Sequence, residues 1–273
     1  MKPQPCLAFS NIAWSPEEDL PAYDLLGKLG VSQVECAPGR LWPQPAEATD
    51  VEVRQALGPI VARGLSVSGF QAILYQKSEL LLFDDQTRPR LMEHLKGLAR
   101  VCAMVGGRYL VFGAPKNRWV PDSLDASSAR REAVDFFREL GREAAGLGVV
   151  FGMEANPASY GCNFCTHVAD TVGLVREVDS PGFRWHLDAG ELAMNAEKLP
   201  ETILEHAPWV GSVHVSEANL DGFASPWEGH AKVARCLEQI GYAGTLSIEM
   251  KRQPAGLESV REAVEHVSRI YLP

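Results

Sequence analysis

Short apolar runs of strand length alternate along this chain with longer segments whose apolar residues recur about every 3.6 positions, as on one face of a helix. Eight of the short runs are predicted to be strands, at residues 6–14, 31–38, 64–74, 107–115, 148–157, 182–190, 210–218 and 244–252. Helical patterns separate them, and one closes the chain at 256–272. The weakly patterned stretch 193–209, before the seventh strand, is expected to hold a short helix.

A strand followed by a helix, repeated eight times in 273 residues, predicts a closed (β/α)8 TIM barrel that forms a single domain over 1–273. An open, doubly wound α/β sheet is the competing arrangement. That sheet usually carries a glycine-rich phosphate loop after its first strand. Residues 11–20 read NIAWSPEEDL at this place and contain no glycine, which favours the barrel.

Composition narrows the classes of protein. The chain is 46% apolar and 22% charged, as in ordinary globular proteins, and its net charge of −9 argues against nucleic acid as the main partner. We find no run long and apolar enough to cross a bilayer, and the start has no signal-peptide core, so a cytoplasmic location is expected. Six cysteines should then stay reduced, and the lone CxxC of Cys162 and Cys165 is expected to pack a loop.

Four strands in the second half each end in one metal-ligating residue type: Glu154, Asp188, His214 and Glu249. A carboxylate that closes a buried run is costly unless something pairs with it. In a barrel, the ends of strands five to eight are neighbours at the C-terminal mouth, where these side chains would converge. Three carboxylates and one imidazole suit a single divalent ion, which could be Mn²⁺, Mg²⁺, Co²⁺ or Zn²⁺.

The segments MEANP around Glu154, HLDAG around Asp188, VHVSE around His214 and SIEM around Glu249 make the chain resemble the xylose-isomerase-like TIM barrels, especially the ketose 3-epimerases. The resemblance implies a metal-dependent isomerase or epimerase of a sugar, a sugar phosphate or a related polyhydroxy-ketone. Glu154 and Glu249 would each be both a metal ligand and a catalytic acid/base. Asp188 and His214 would be ligands only.

The chain departs from that family at two positions that would grip substrate oxygens. Glu191 stands where the epimerases carry a histidine, and the sequence after His214 has Glu217 and Leu220 where they carry an arginine. The fold and metal centre can therefore be shared while the substrate differs. The side chains expected to contact substrate are Glu35, Lys116, Arg118, His186, Glu191, Glu217 and His230.

Three alternative functions share this scaffold. One is a metal-dependent dehydratase of an inosose-like or dehydroshikimate-like compound, which would use the same base but expel a hydroxyl group. The others are an abasic-site endonuclease, disfavoured by the acidic chain and its seven histidines, and a non-catalytic sugar-binding barrel. The expected partner is a small carbohydrate-like molecule, with no membrane and possibly a second copy of the chain in a homo-oligomer.

Overall fold

Eight parallel strands form a closed barrel in sequential order, β1 to β8, in the computed structural model, which describes residues 4–272. This confirms the predicted (β/α)8 TIM barrel; residues 1–3 and 273 of the predicted 1–273 domain lie outside the described residues. The strands are β1 (Cys6–Ser10), β2 (Gln33–Cys36), β3 (Ser66–Phe70), β4 (Tyr109–Phe112), β5 (Val150–Met153), β6 (Phe183–Asp188), β7 (Val210–Ser216) and β8 (Thr245–Glu249).

The helices surround the barrel. They are α1 (Asp19–Lys28), α2 (Pro38–Leu41), α3 (Asp50–Val61), α4 (Arg88–Met104), α5 (Ala126–Gly146), α6 (Val168–Val178), α7 (Ala189–Met194), α8 (Glu201–His206), α9 (His230–Gln239) and α10 (Leu257–Tyr271). The helix expected within 193–209 is α8, whereas the short helices α2 and α7 were not anticipated. Among these described helices, we find none with the length and apolarity needed to span a bilayer.

The main hydrophobic core lies between the barrel wall and the surrounding helices. Helix α5 illustrates it, because Ala133, Phe137, Leu140 and Ala144 recur at helical spacing and are all buried. The ring of Phe137 stacks on Phe183 of β6, with 4.6 Å between the ring centroids. Burying these aromatic and aliphatic side chains fixes the helices on the outer face of the strands.

The interior of the barrel is polar, although TIM barrels are usually filled by branched aliphatic side chains. Glu35 of β2 accepts a hydrogen bond from Ser247 of β8 and also contacts His214 of β7, so these side chains meet across the interior. All three are fully buried. Buried polar groups need partners, and this network supplies them directly beneath the mouth of the barrel.

Candidate metal centre and substrate cavity

The structure brings together the four residues that the sequence marks as metal ligands. His214 Nδ1 lies 4.0 Å from Glu154 Oε1, 3.6 Å from Asp188 Oδ2 and 3.0 Å from Glu249 Oε2. The strand register produces this arrangement, because Asp188 is paired with His214 across β6 and β7. Glu249 is level with Ser216, two residues beyond His214. Donor atoms of Glu154, Asp188 and His214 therefore lie within 4.8 Å of one another, and Glu249 joins them through its contact with His214 Nδ1.

The imidazole of His214 is oriented for a cation. Its Nε2 atom lies 2.9 Å from both carboxylate oxygens of Glu35, which makes Nε2 the hydrogen-bond donor. The remaining nitrogen, Nδ1, is buried and makes no acceptable hydrogen bond to any described residue. A buried ring nitrogen that faces three carboxylates, and makes no well-formed hydrogen bond to any of them, fits a divalent ion held by Glu154, Asp188, His214 and Glu249.

Several carboxylates are buried close together around His214, and this arrangement favours the binding of a cation. Burial, with the neighbouring charges of Asp188 and Glu249, raises the pKa of Glu154 to about 8. Burial likewise raises the pKa of Glu249. Burial alone would lower the pKa of His214, but the charges of Glu35 and Glu249 outweigh it and raise that pKa well above its usual value. Protons therefore occupy this site in the metal-free protein, and a divalent ion would compete with them.

Asp188 is held in place by the start of α7. The amide of Glu191 donates to Asp188 Oδ1 at 2.7 Å, so Asp188 is both a strand end and the N-cap of the helix. The hydroxyl of Ser216 donates to the same carboxylate at 2.8 Å. Asp188 Oδ2 is thereby turned toward His214.

Arg118 supports the site from behind instead of lining it. Its guanidinium is fully buried and donates to the carbonyl of Glu154 and to Asn156 Oδ1, each at 3.0 Å. The amide of Asn156 in turn donates to Glu154 Oε2 at 2.9 Å and to Glu191 Oε1. Arg118, which was predicted to contact substrate, instead acts through Asn156 on two cavity carboxylates. We call this chain of hydrogen bonds, from Arg118 through Asn156 to Glu154 and Glu191, the brace.

The Cys162 and Cys165 pair lies beside this brace. Cys162 Sγ accepts a hydrogen bond from Arg118 Nε at 3.3 Å. Burial raises the pKa of Cys165 to about 12, which keeps that thiol protonated and unreactive at neutral pH. Both thiols are buried and free, in keeping with packing of the loop after β5.

Gly113, directly after β4, makes room for Glu154. A Cβ atom at position 113 would collide with Glu154 Oε2. Only glycine therefore lets this loop pass so close to the ligand carboxylate.

A cavity of about 670 Å³ opens above the ligands at the mouth of the barrel. Five carboxylates line it, those of Glu154, Asp188, Glu191, Glu217 and Glu249. Lys116 is the one basic side chain among its described lining residues. Five non-glycine residues of its wall have left-handed backbone angles, a strain that proteins concentrate at functional sites. They are Ala72, Gln76, Ala114, Asn219 and Leu220.

Three other predicted substrate contacts lie behind the cavity surface. Glu35 is fully buried against His214, and His186 is fully buried one layer below Asp188. His230 donates to or accepts from its neighbours on both sides, with Nε2 at 2.9 Å from Glu217 Oε1 and Nδ1 at 2.7 Å from Tyr271 Oη. His230 is connected to the cavity through its hydrogen bond with Glu217, which lines the cavity. Lys116, Glu191 and Glu217 are the predicted contacts that line the cavity itself.

Sequence reasoning missed several residues of the site, among them Ser216, Ser247, Gly113 and Tyr160. A signal for Ser216 was present, because Ser212, His214 and Ser216 alternate along β7 and must share its inner face. Gly113 and Tyr160 carry no comparable signal. Their roles depend on where loops after β4 and β5 pass in space.

Comparisons with known proteins agree with this geometry. The sequence model of the xylose isomerase-like TIM-barrel family matches residues 23–270, so the chain belongs to that family. A search of curated protein sequences found no match.

Among solved structures, the D-psicose 3-epimerase of Clostridium cellulolyticum H10, crystallised with D-tagatose, aligns with a TM-score of 0.81 at 15% identity over 97% of this chain and 99% of that chain. The 3-keto-D-glucoside 4-epimerase of E. coli aligns with a TM-score of 0.78 at 17% identity, over 97% and 100%. A family 2 AP endonuclease of Brucella melitensis aligns with a TM-score of 0.76 at 16% identity, over 95% and 99%. At such identities the likeness shows a shared fold.

Proposed function

We propose that the protein is a divalent-metal-dependent epimerase or isomerase of an uncharged polyhydroxy-ketone, such as a ketose. The observation that carries the proposal is the placement of Glu154 and Glu249 within 4.0 Å of one buried nitrogen, His214 Nδ1, at the floor of a sugar-sized cavity. Several structural relatives are sugar 3- or 4-epimerases by name, which supports the same reaction class.

The two glutamates are placed to move a proton. A bound divalent cation would polarise a substrate carbonyl and so acidify the neighbouring carbon–hydrogen bond. The pKa of about 8 at Glu154 describes the metal-free site, and a bound cation would lower it. Glu154 would therefore act as a base through the carboxylate oxygen that the cation leaves free. Proton removal by one glutamate and return by the other, on the opposite face, inverts a stereocentre. Return of that proton to the adjacent carbon, while a hydroxyl proton passes between the two neighbouring oxygens, isomerises a ketose to an aldose.

The charge balance of the cavity supports an uncharged substrate. A divalent ion and Lys116 together carry three positive charges against five lining carboxyl groups. Phosphate recognition normally uses arginine forks or several backbone amides, and the buried guanidinium of Arg118 points elsewhere. Hydroxyl groups, by contrast, can donate to Glu191 and Glu217. The same balance disfavours a nucleic acid backbone and a carboxylated substrate such as dehydroshikimate.

Dehydration of a neutral inosose-like ring is a second candidate, and Glu191 favours it. Burial and the charges of Glu154 and Asp188 raise the pKa of Glu191 well above its usual value. A protonated carboxyl group in the cavity could donate to a departing hydroxyl group.

Deuterium exchange tests the proposal. The Mn²⁺-loaded protein would be incubated in D₂O with a panel of ketoses and ketose phosphates, and products followed by NMR and mass. We expect deuterium beside the carbonyl of an unphosphorylated ketose, and a loss of about 10²-fold or more in Glu154→Gln and in Glu249→Gln. Glu177→Gln, on an exposed face of α6, is the matched control.

Three results would contradict it. Wild-type exchange in either active-site variant would remove the assigned proton-transfer role. Loss of 18 mass units, the mass of water, would identify the dehydratase instead. Metal binding with no exchange on any ketose would leave a sugar-binding barrel.

A further inference from the structure

His186 of β6 is a second buried imidazole that the proposed reaction does not use. Its side chain is fully buried, and its Nε2 atom makes no hydrogen bond within residues 4–272. That atom lies 3.9 Å from Glu154 Oε1. The ring stands edge-on to the ring of His214, with the two centroids 4.2 Å apart.

The surroundings of His186 hold the ring in this orientation. Its Nδ1 atom lies 2.6 Å from Ser212 Oγ on β7, which anchors one side of the ring. Gly152 of β5 leaves the space for it, since a Cβ atom there would come within 2.9 Å of His186 Cβ and 3.0 Å of Ser212 Oγ. A glycine, a serine and a histidine on three adjacent strands thus build a fixed position for Nε2.

His186 and His214 share the property that singles out a ligand. Each has one ring nitrogen engaged by the protein, and the other nitrogen is buried, makes no well-formed hydrogen bond and lies within 4.0 Å of Glu154 Oε1. Donor atoms of Glu154, His186, Asp188 and His214 all lie within 4.8 Å of one another. Leaving a buried nitrogen unpaired costs free energy, and a bound cation removes that cost.

We propose that His186 Nε2 is a fifth protein ligand, so that the centre binds its metal through two imidazoles and three carboxylates. This inference rests on the metal centre of the proposed function and adds a nitrogen donor to it. With Nε2 on the metal, Nδ1 carries the ring proton and donates it to Ser212 Oγ.

A second imidazole changes which metal the centre prefers. Imidazole nitrogen suits Zn²⁺, Co²⁺ and related transition ions, whereas Mg²⁺ prefers oxygen ligands. The site is therefore expected to select a transition ion over Mg²⁺. Replacing His186 should reduce the preference for a transition ion over Mg²⁺, because the remaining protein ligands are mainly carboxylates.

Two variants distinguish whether His186 Nε2 is a metal ligand or a hydrogen-bond donor to Glu154. His186→Asn keeps a polar atom near Ser212 and has nothing at the Nε2 position. His186→Gln places an amide near the Nε2 position, where it can donate to Glu154 but cannot replace an imidazole on Zn²⁺. Asp188→Asn is the control for the metal centre as a whole. Far-ultraviolet circular dichroism and thermal melts would show that each variant folds.

Metal affinity and the visible spectrum of the Co²⁺ protein are the measurements, taken without substrate. We expect both His186 variants to lose Zn²⁺ affinity by more than about 100-fold, beyond the range for an outer-shell residue. Mg²⁺ affinity should change much less, and the Co²⁺ absorption bands should shift.

Other outcomes would contradict the inference, and they distinguish a failure of His186 as a ligand from a failure of the whole metal centre. Recovery of wild-type Zn²⁺ affinity in His186→Gln would make His186 a hydrogen-bond donor to Glu154. Unchanged Co²⁺ bands in both variants would likewise exclude ligation. If Asp188→Asn also bound Zn²⁺ like the wild type, the metal centre itself, and with it the proposed function, would fail.

Discussion

At the scale of single residues, the candidate centre depends on how His214 is held. Glu35 accepts from Nε2 at 2.9 Å through both oxygens, and Ser247 donates to the same carboxylate at 2.8 Å. The resemblance suggested Glu35 as a substrate contact, because the family often carries a glutamate near the end of its second strand. The structure places it behind the imidazole, where its charge fixes the tautomer that leaves Nδ1 for a metal.

Replacing Glu35 tests this arrangement. Glu35→Gln retains the size of the side chain but removes the charge that fixes the His214 tautomer. We expect Mn²⁺ affinity, measured by calorimetry, to fall about 10- to 100-fold while the protein stays folded. Glu177→Gln should bind Mn²⁺ like the wild type. An affinity within about threefold of wild type in Glu35→Gln would show that Glu35 has no such role.

At the scale of elements, two loops on the same side of the mouth position Glu154. The loop after β4 carries Gly113 and Arg118, and the loop after β5 carries Asn156. Arg118 joins them through the carbonyl of Glu154 and through Asn156 Oδ1. Glu154, the proposed general base, is therefore held by a brace between loops, not by its own strand alone.

A methyl group at Gly113 should disturb that brace without opening the barrel. In Gly113→Ala the added Cβ would meet the carboxylate of Glu154, so this side chain must rotate away. We expect a clear loss of Mn²⁺ affinity and of proton exchange, with the melting temperature lowered by only a few degrees.

Gly146→Ala is the control for Gly113→Ala. Apart from its chain neighbours and the backbone of its own helix, no described atom lies within 4 Å of a Cβ at position 146, at the end of α5. Alanine there should be neutral or stabilising by up to about 1 kcal/mol. If Gly113→Ala bound Mn²⁺ as tightly as Gly146→Ala, the close approach of this loop would be irrelevant to the site.

At the scale of the whole molecule, acidic groups concentrate at one end of the barrel axis. Five carboxylates line the cavity, and Glu35 lies below them. Exposed carboxylates elsewhere behave differently. The pKa of Glu18, for example, is lowered to about 2, chiefly by hydrogen bonds from Ser15 and Arg252. The response of folding to pH between 7 and 8 should therefore come mainly from the centre.

The sign of that response follows from the raised pKa of Glu154. An unfolded glutamate ionises near 4.5, whereas Glu154 in the folded protein ionises at about 8. Folding therefore takes up a proton in this window, and its contribution to stability is full below 4.5 and lost as pH rises to about 8. Burial lowers the pKa of His94, His186 and His266, and the protons that these groups lose on folding oppose this trend below about pH 6.5. We expect the metal-free melting temperature to fall from pH 7 to pH 8, and the stabilisation by Mn²⁺ to grow.

The matched variant for the pH experiment is Glu154→Gln, which should flatten the metal-free curve. Glu249 and His214, whose pKa values are also raised, act in the same direction and leave a residual slope. A metal-free stability that rises over this range, or a Mn²⁺ effect independent of pH, would contradict the assigned electrostatics.

The sequence was sufficient for the barrel, and it predicted four ligand residues at neighbouring strand ends. Strand and helix periods are local properties, and the ends of consecutive strands in a closed barrel must be neighbours. The short helix α7 was missed because six residues carry too little periodicity. Its start depends on Asp188 as a cap.

The chain by itself thus determined the architecture, the residue types at the strand ends and the resemblance to a family. Only the tertiary structure decided which polar side chains reach the cavity. Glu35, Arg118, His186 and His230 looked like substrate contacts because their strands or loops lead to the mouth. The structure places each of them one layer of side chains behind the cavity surface. The depth of a side chain depends on strand register and on neighbours that are distant in the sequence, and a local sequence pattern contains neither.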